Sequence, residues 1–166
     1  MPEEYEDEPE GLERPPPFFP YKPDETVRPG GNTGEPIEVS IEGVFAAESN
    51  GSIQRFVLLS DGDRKLPILI GLAEAAAISL PLEGATPDRP MTHDLVKTIL
   101  ERLGATVERI VIDDLWSTTY YAKIVLRHDG IETIIDSRPS DAIAIALRFE
   151  SPVFVVENIL HQAGDQ

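Results

Sequence analysis

Two segments of this chain align without a gap at an offset of 67 residues, and that pairing constrains the fold more than any other feature. IGLAEAAAISL (70–80) lies over SRPSDAIAIAL (137–147). Ala75, Ala77, Ile78 and Leu80 meet Ala142, Ala144, Ile145 and Leu147, and Glu74 meets Asp141. Before the first segment, IEVSIE from Ile37 alternates apolar and polar residues with the period of a half-buried strand, and Gly43 marks a candidate bulge. IQRFVLLS and RKLPILI then flank a DGD turn. Before the second segment come TVERIVID, TTYYAKIVLR and IETIID, with HDG between the last two. The order is three strands and a helix, twice. Two copies are too few for a solenoid. The pattern predicts an α+β fold, in which duplicated units of three strands and a helix form one pseudo-symmetric domain with a mixed sheet. The helices are expected at 72–80, stopped by Pro81, and at 139–149. Their alanines permit close packing at the centre.

Between the copies, THDLVKTILERLG has the clearest helical period. Leu95, Val96, Ile99, Leu100 and Leu103 share a face, Thr92 can cap the start and Gly104 can close the end. A final strand is expected at PVFVVE.

The ends of the chain differ in texture. Residues 1–35 hold PEEYEDEPE, RPPPFFPYKP and RPGGNTGEP, with ten acidic and three basic side chains. Such a segment buries too little apolar surface to offset its ordering entropy, so it reads as a disordered, acidic, Pro-rich tail. PPPFFPYKP is either a polyproline ligand for a tail-binding protein or part of a solvating extension. The domain is expected over 36–160, with a short C-terminal tail at 161–166. No apolar run approaches the ~18 residues of a membrane span. The start MPEEYEDEPEG lacks the basic and apolar regions of a secretory signal. These features predict a cytoplasmic protein that does not enter membranes. The chain has no cysteine, which excludes disulfides, thiolate metal sites and a Cys nucleophile. Walker, GxGxxG, HExxH and GxSxG motifs are absent.

LPILIGLAEAAAI, RPMTHDLVKTILERLG, YYAKIVL and DSRPSDAIAIALR with PVFV together resemble the bifunctional nuclease domain family, over about residues 37–160. The resemblance implies an α+β duplication that associates as homodimers, and a nuclease acting on both DNA and RNA. Net charge is −16, and residues 36–166 alone hold twenty acidic and eleven basic side chains. An acidic surface disfavours phosphate backbones and favours the other reading, a non-catalytic regulatory module that binds a protein or small ligand. As a nuclease the chain needs a local basic strip, for which Arg89, Arg138 and Arg148 are the candidates, or bound cations.

Phosphodiester hydrolysis requires an activated water, charge neutralisation on the phosphate and a proton for the leaving oxygen. DSRPSD (136–141) and RPMTHDL (89–95) each open an apolar helix with polar residues and are expected to meet. Asp136 and Asp141 can then hold Mg²⁺ or Mn²⁺ through hard oxygen ligands. Arg138 can clamp a phosphate, and His93 can move a proton with Asp94 orienting it. A purely structural account fits the same residues. Ser137 or Ser140 can cap, Pro139 suits an early helical position, Asp141 and Asp94 suit the helix dipole, and Arg138 can pair with Asp136. Asp113 and Asp114 either bind metal or end a strand. Trp116, Tyr120 and Tyr121 either stack on unpaired bases or form core or a dimer contact. His128 reads as a solvated turn residue and His161 as part of the C-terminal tail.

Overall fold

The alternating runs of the sequence become seven strands of one mixed sheet in the computed structural model of the chain, which describes residues 34–164. The expected N-terminal tail lies outside the described residues, apart from Gly34 and Glu35. Strands β1 (Pro36–Ser49), β2 (Ser52–Ser60) and β3 (Lys65–Ile70) form an antiparallel meander, followed by helix α1 (Leu72–Leu82). Helix α2 (Thr92–Arg102) comes next. A second antiparallel meander, β4 (Thr106–Trp116), β5 (Thr119–His128) and β6 (Ile131–Ser137), leads into helix α3 (Pro139–Phe149). Strand β7 (Val153–Val156) and helix α4 (Glu157–Gly164) finish the described chain. The sheet order is β3-β2-β1-β7-β4-β5-β6. β7 joins the meanders, antiparallel to β1 and parallel to β4. The class is α+β, as the sequence predicts.

β1 serves two partners. Pro36–Val39 pairs with β7, and Ser40–Ser49 pairs with β2. The register shifts between Ile41 and Gly43, and Gly43 takes a φ of 152°, which explains the glycine at this bulge. Two hairpins turn on Asn50-Gly51 and Asp129-Gly130, each pair with positive φ at both residues, the geometry that matches strand twist. The β4–β5 hairpin does the same with Ser117 and Thr118, at φ of 45° and 70°.

The core lies between the helices and the sheet. Val57, Leu59, Leu66, Ile110, Ile112 and Val155 on strands are fully buried, as are Ile78 on α1 and Ile143 on α3. Ala142, Ala144 and Ala146 are buried too, and α3 packs against both α1 and α2. Small side chains allow this approach on several faces of one helix.

Several local features differ from expectation. α1 does not stop at Pro81 but continues to Leu82. A proline there removes the helical donor to the Ala77 carbonyl, and Arg148 Nη1 replaces it at 2.8 Å. Met91, not Thr92, occupies the N-cap of α2, and Arg138, not Ser137 or Ser140, that of α3. Pro139 does take the first helical position. β4 runs on through Asp113 and Asp114 to Trp116, and Asp114 is buried with Oδ1 accepting from the Leu115 N–H at 2.8 Å. α4 begins at Glu157, where the last strand was expected to end, and its Ile159 and Leu160 are fully buried. His161 on this helix lies 3.6 Å from Glu157 and 3.4 Å from Arg64 Nη1.

Candidate functional site

Each of the three central helices carries a carboxylate at its third position: Glu74 on α1, Asp94 on α2 and Asp141 on α3. A negative charge there suits the exposed N–H groups and positive dipole end of a helix. The three carboxylates nevertheless do different work, because the helices pack with these ends close together.

Asp94 is structural. Its Oδ2 accepts from the Met91 N–H at 2.8 Å, closing the start of α2, and its Oδ1 accepts from Arg148 Nε at 2.6 Å. Arg148 is buried, with 6% of its side chain exposed, and Nη1 also donates to the Ala77 and Ala144 carbonyls at 2.8 Å each. Burial pushes the Asp94 carboxyl up, but the Arg148 and Met91 hydrogen bonds outweigh it and hold the group below the ordinary carboxylate range. Asp94 was expected to orient His93, but its carboxylate bonds to Arg148 and Met91 instead. Arg148 likewise cannot reach a phosphate while it ties three helices together.

Asp141 makes the contact expected of Asp94. His93 Nε2 lies 3.0 Å from Asp141 Oδ1, across 48 residues of sequence, so DSRPSD and RPMTHDL do meet. Arg138 grips the same carboxylate with Nε on Oδ2 at 2.8 Å and Nη2 on Oδ1 at 3.2 Å. Its Nη1 crosses to Glu74 Oε1 on α1, 3.0 Å away. Burial pushes the Asp141 carboxyl up, yet the bonds from Arg138 and His93 prevail and keep it below the usual value. Arg138 is held above its own, chiefly by the Asp141 hydrogen bond. Arg138 is 65% exposed, the reverse of Arg148. Glu74 folds back over Gly71, where any side chain would run into the carboxylate.

Asp136 sits at the end of β6, and its Oδ1 accepts from Lys123 Nζ at 2.8 Å. Asp136 and Asp141 border one surface hollow of about 410 Å³. A second hollow, of about 440 Å³, lies between the end of β3 and the start of α3. Arg138, Thr119 and Tyr120 border both. Among the described residues, no group of three or more His, Asp or Glu side chains is arranged to hold a metal ion. Arg89 is exposed on the loop before α2. Tyr120 and Tyr121 are half-buried beside the site, whereas Trp116 is exposed. Glu74 was not among the expected site residues, although its alignment with Asp141 was a signal. No helix is long and apolar enough to cross a membrane among the described residues.

The sequence matches the Bifunctional nuclease domain over residues 57–166. An uncharacterized protein of Mycobacterium tuberculosis is 39% identical over 127 residues, 76% of each chain. Bifunctional nuclease 1 of Oryza sativa is 33% identical over 110 residues, which cover 64% of this chain and 33% of the relative. Bifunctional nuclease 2 of Arabidopsis thaliana is 26% identical over 102 residues, covering 60% and 31%. The chain therefore spans about a third of these plant relatives.

Proposed function

This chain belongs to the bifunctional nuclease domain family, and we propose that it hydrolyses phosphodiester bonds of DNA and RNA at the His93–Asp141–Arg138 cluster. The observation that carries this reading is the 3.0 Å approach of His93 to Asp141 beside an exposed arginine. It combines an imidazole, a carboxylate that orients it and a cation suited to phosphate.

Asp141 is held ionised and accepts from His93 Nε2, which leaves Nδ1 as the other ring nitrogen. In the neutral ring Nδ1 takes a proton from the attacking water as its oxygen bonds to phosphorus; the opposite P–O ester bond breaks, and the departing oxygen takes a proton from solvent. Arg138 is positioned by Asp141 and offers its outer N–H groups to the phosphate oxygens. Glu74 competes for Nη1 and yields to the phosphate.

A divalent cation at this site would compete with Lys123, Arg138 and His93, which already bond to the two carboxylates. Mg²⁺ keeps several waters and needs only one or two protein carboxylates beside the phosphate. Asp136 and Asp141, which share a hollow, are the residues that would hold Mg²⁺ or Mn²⁺. The cation would neutralise phosphate charge in a protein whose net charge is −16.

The test is cleavage of single-stranded DNA and RNA by the purified full chain with Mg²⁺ or Mn²⁺. Cleavage that stops with a chelator supports both the activity and the cation. Cleavage that persists removes the cation, and no cleavage of either substrate favours the non-catalytic binding module.

A further inference from the structure

The hollow between the end of β3 and the start of α3 is bordered by Glu74 and Arg138 of the cluster, but the chemistry above assigns its interior no occupant. Its walls include Pro67, Ile70, Thr118, Tyr120 and Pro139, with Arg138 on the side it shares with the hollow of Asp136 and Asp141. A phosphate held on Arg138 therefore sits at the boundary of two cavities. Whatever is bonded to that phosphate must enter one or the other.

We propose that this hollow is a subsite for one unstacked nucleobase, which makes the chain specific for single-stranded phosphodiesters; the inference rests on Arg138 as the phosphate contact. About 440 Å³ lies in the range of small-ligand sites, ~300–1,000 Å³, and accepts a nucleoside-sized group rather than a paired duplex. Apolar walls and an aromatic ring suit a base face of any sequence, since every base has one. A duplex also needs a row of cations along its backbone. Here Arg148 is buried against Asp94, Lys123 is on Asp136, and Arg109 and Arg127 are on Glu108 and Glu132. Arg138 is the cation that borders this hollow, so recognition at it falls to the base and one phosphate.

The Ser117–Thr118 turn supports the same reading. The other two tight hairpins use glycine at their second turn residue, whereas this one holds a β-branched threonine at a φ of 70°. That conformation is disfavoured for such a side chain, and it sets Thr118 at the lip of the hollow. Strain of this kind is found where a site requires it.

The experiment measures binding without cleavage, in chelator, for the full chain and a labelled single-stranded oligothymidylate. Its companions are the same strand with one nucleotide made abasic, and a duplex of equal length. Loss of one base is expected to weaken binding about tenfold, within the range for base–aromatic stacking, and the duplex is expected to bind at least as weakly. Tyr120→Ala should erase the difference between intact and abasic strands, while Tyr120→Phe should retain it. The turn variant Ser117→Asn/Thr118→Gly should melt higher than the parent yet bind the intact strand more weakly, which separates loss of site from loss of fold. Equal binding of intact and abasic strands, tighter binding of the duplex, or no binding of either strand overturns the subsite. Metal-dependent cleavage of the abasic strand at the intact rate would overturn it too while leaving the nuclease reading in place.

Discussion

Arg148 donates to the carbonyl of Ala77 at 2.8 Å, the acceptor that Pro81 deprives of its helical partner. The same guanidinium binds Asp94 in the first turn of α2. One buried cation therefore repairs α1, anchors α2 and rides on α3. The position of His93, next to Asp94, follows from it.

Arg148→Ala should destabilise the protein by about 3–5 kcal/mol, because it leaves a carboxylate and two carbonyls without their cation. Pro81→Ala restores a backbone donor to Ala77. The double variant should recover about 1 kcal/mol relative to the sum of the single changes. Urea denaturation of the four proteins measures this, and strict additivity would contradict the repair.

Asp94 and Asp141 predict an acid-sensitive fold. Both carboxyls lie below their ordinary value of 3.8 in the folded state. Groups with depressed values stabilise above the unfolded value, and that contribution is lost as pH falls through the folded one. Stability should therefore fall as pH drops through the ordinary carboxylate value of 3.8 and on through the lower folded-state values. Asp94→Asn should lower stability at neutral pH and flatten this slope. An unchanged slope would show that other groups control acid unfolding.

Glu74 shares Arg138 with Asp141, and Glu74→Gln removes a charge that competes with phosphate. The expected result is a KM several-fold lower with kcat within about twofold of the parent. A loss of kcat would make Glu74 part of the chemistry instead. Gly71→Ala should disturb the same carboxylate through steric contact.

We propose a homodimer, in which exposed apolar side chains of the edge strand β6, Ile131, Ile134 and Ile135, with Trp116 on β4, are covered by a second copy. Among the described residues β6 is an edge strand, and such an edge with exposed apolar side chains invites pairing. Sedimentation should give twice the mass of one chain. Ile134→Lys should shift it toward monomer, and a concentration-independent monomer would exclude the assembly.

Much of the fold was legible in the sequence because period carries it. Strand alternation, the Asp-Gly turns and the two Ala-rich helices follow from local rules. Pro81 misled because its missing donor is supplied by Arg148, 67 residues on, and no local rule sees that. α4 was missed because an eight-residue helix owes its stability to tertiary burial of Ile159 and Leu160 rather than to propensity. In the site, the meeting of the two polar helix starts was readable from their shared pattern. The exchange of roles between Asp94 and Asp141 was not, since both occupy the same helical position and only packing decides which one faces His93. Glu74 was visible as the counterpart of Asp141 but lacked a reason until Arg138 was seen to bridge them.

The most direct test of the central claim compares cleavage of single-stranded DNA and RNA by the parent chain, Asp141→Asn, His93→Gln and Arg138→Ala, with melting temperatures measured alongside. The cluster predicts that the parent cuts both substrates. It also predicts that His93→Gln and Asp141→Asn each lose about 10²–10⁴ in rate, as removal of a proton-transfer group does, and that Arg138→Ala loses most of its activity while all three stay folded. Cleavage at the parent rate by folded His93→Gln and Asp141→Asn would contradict the account and place the chemistry elsewhere on the domain.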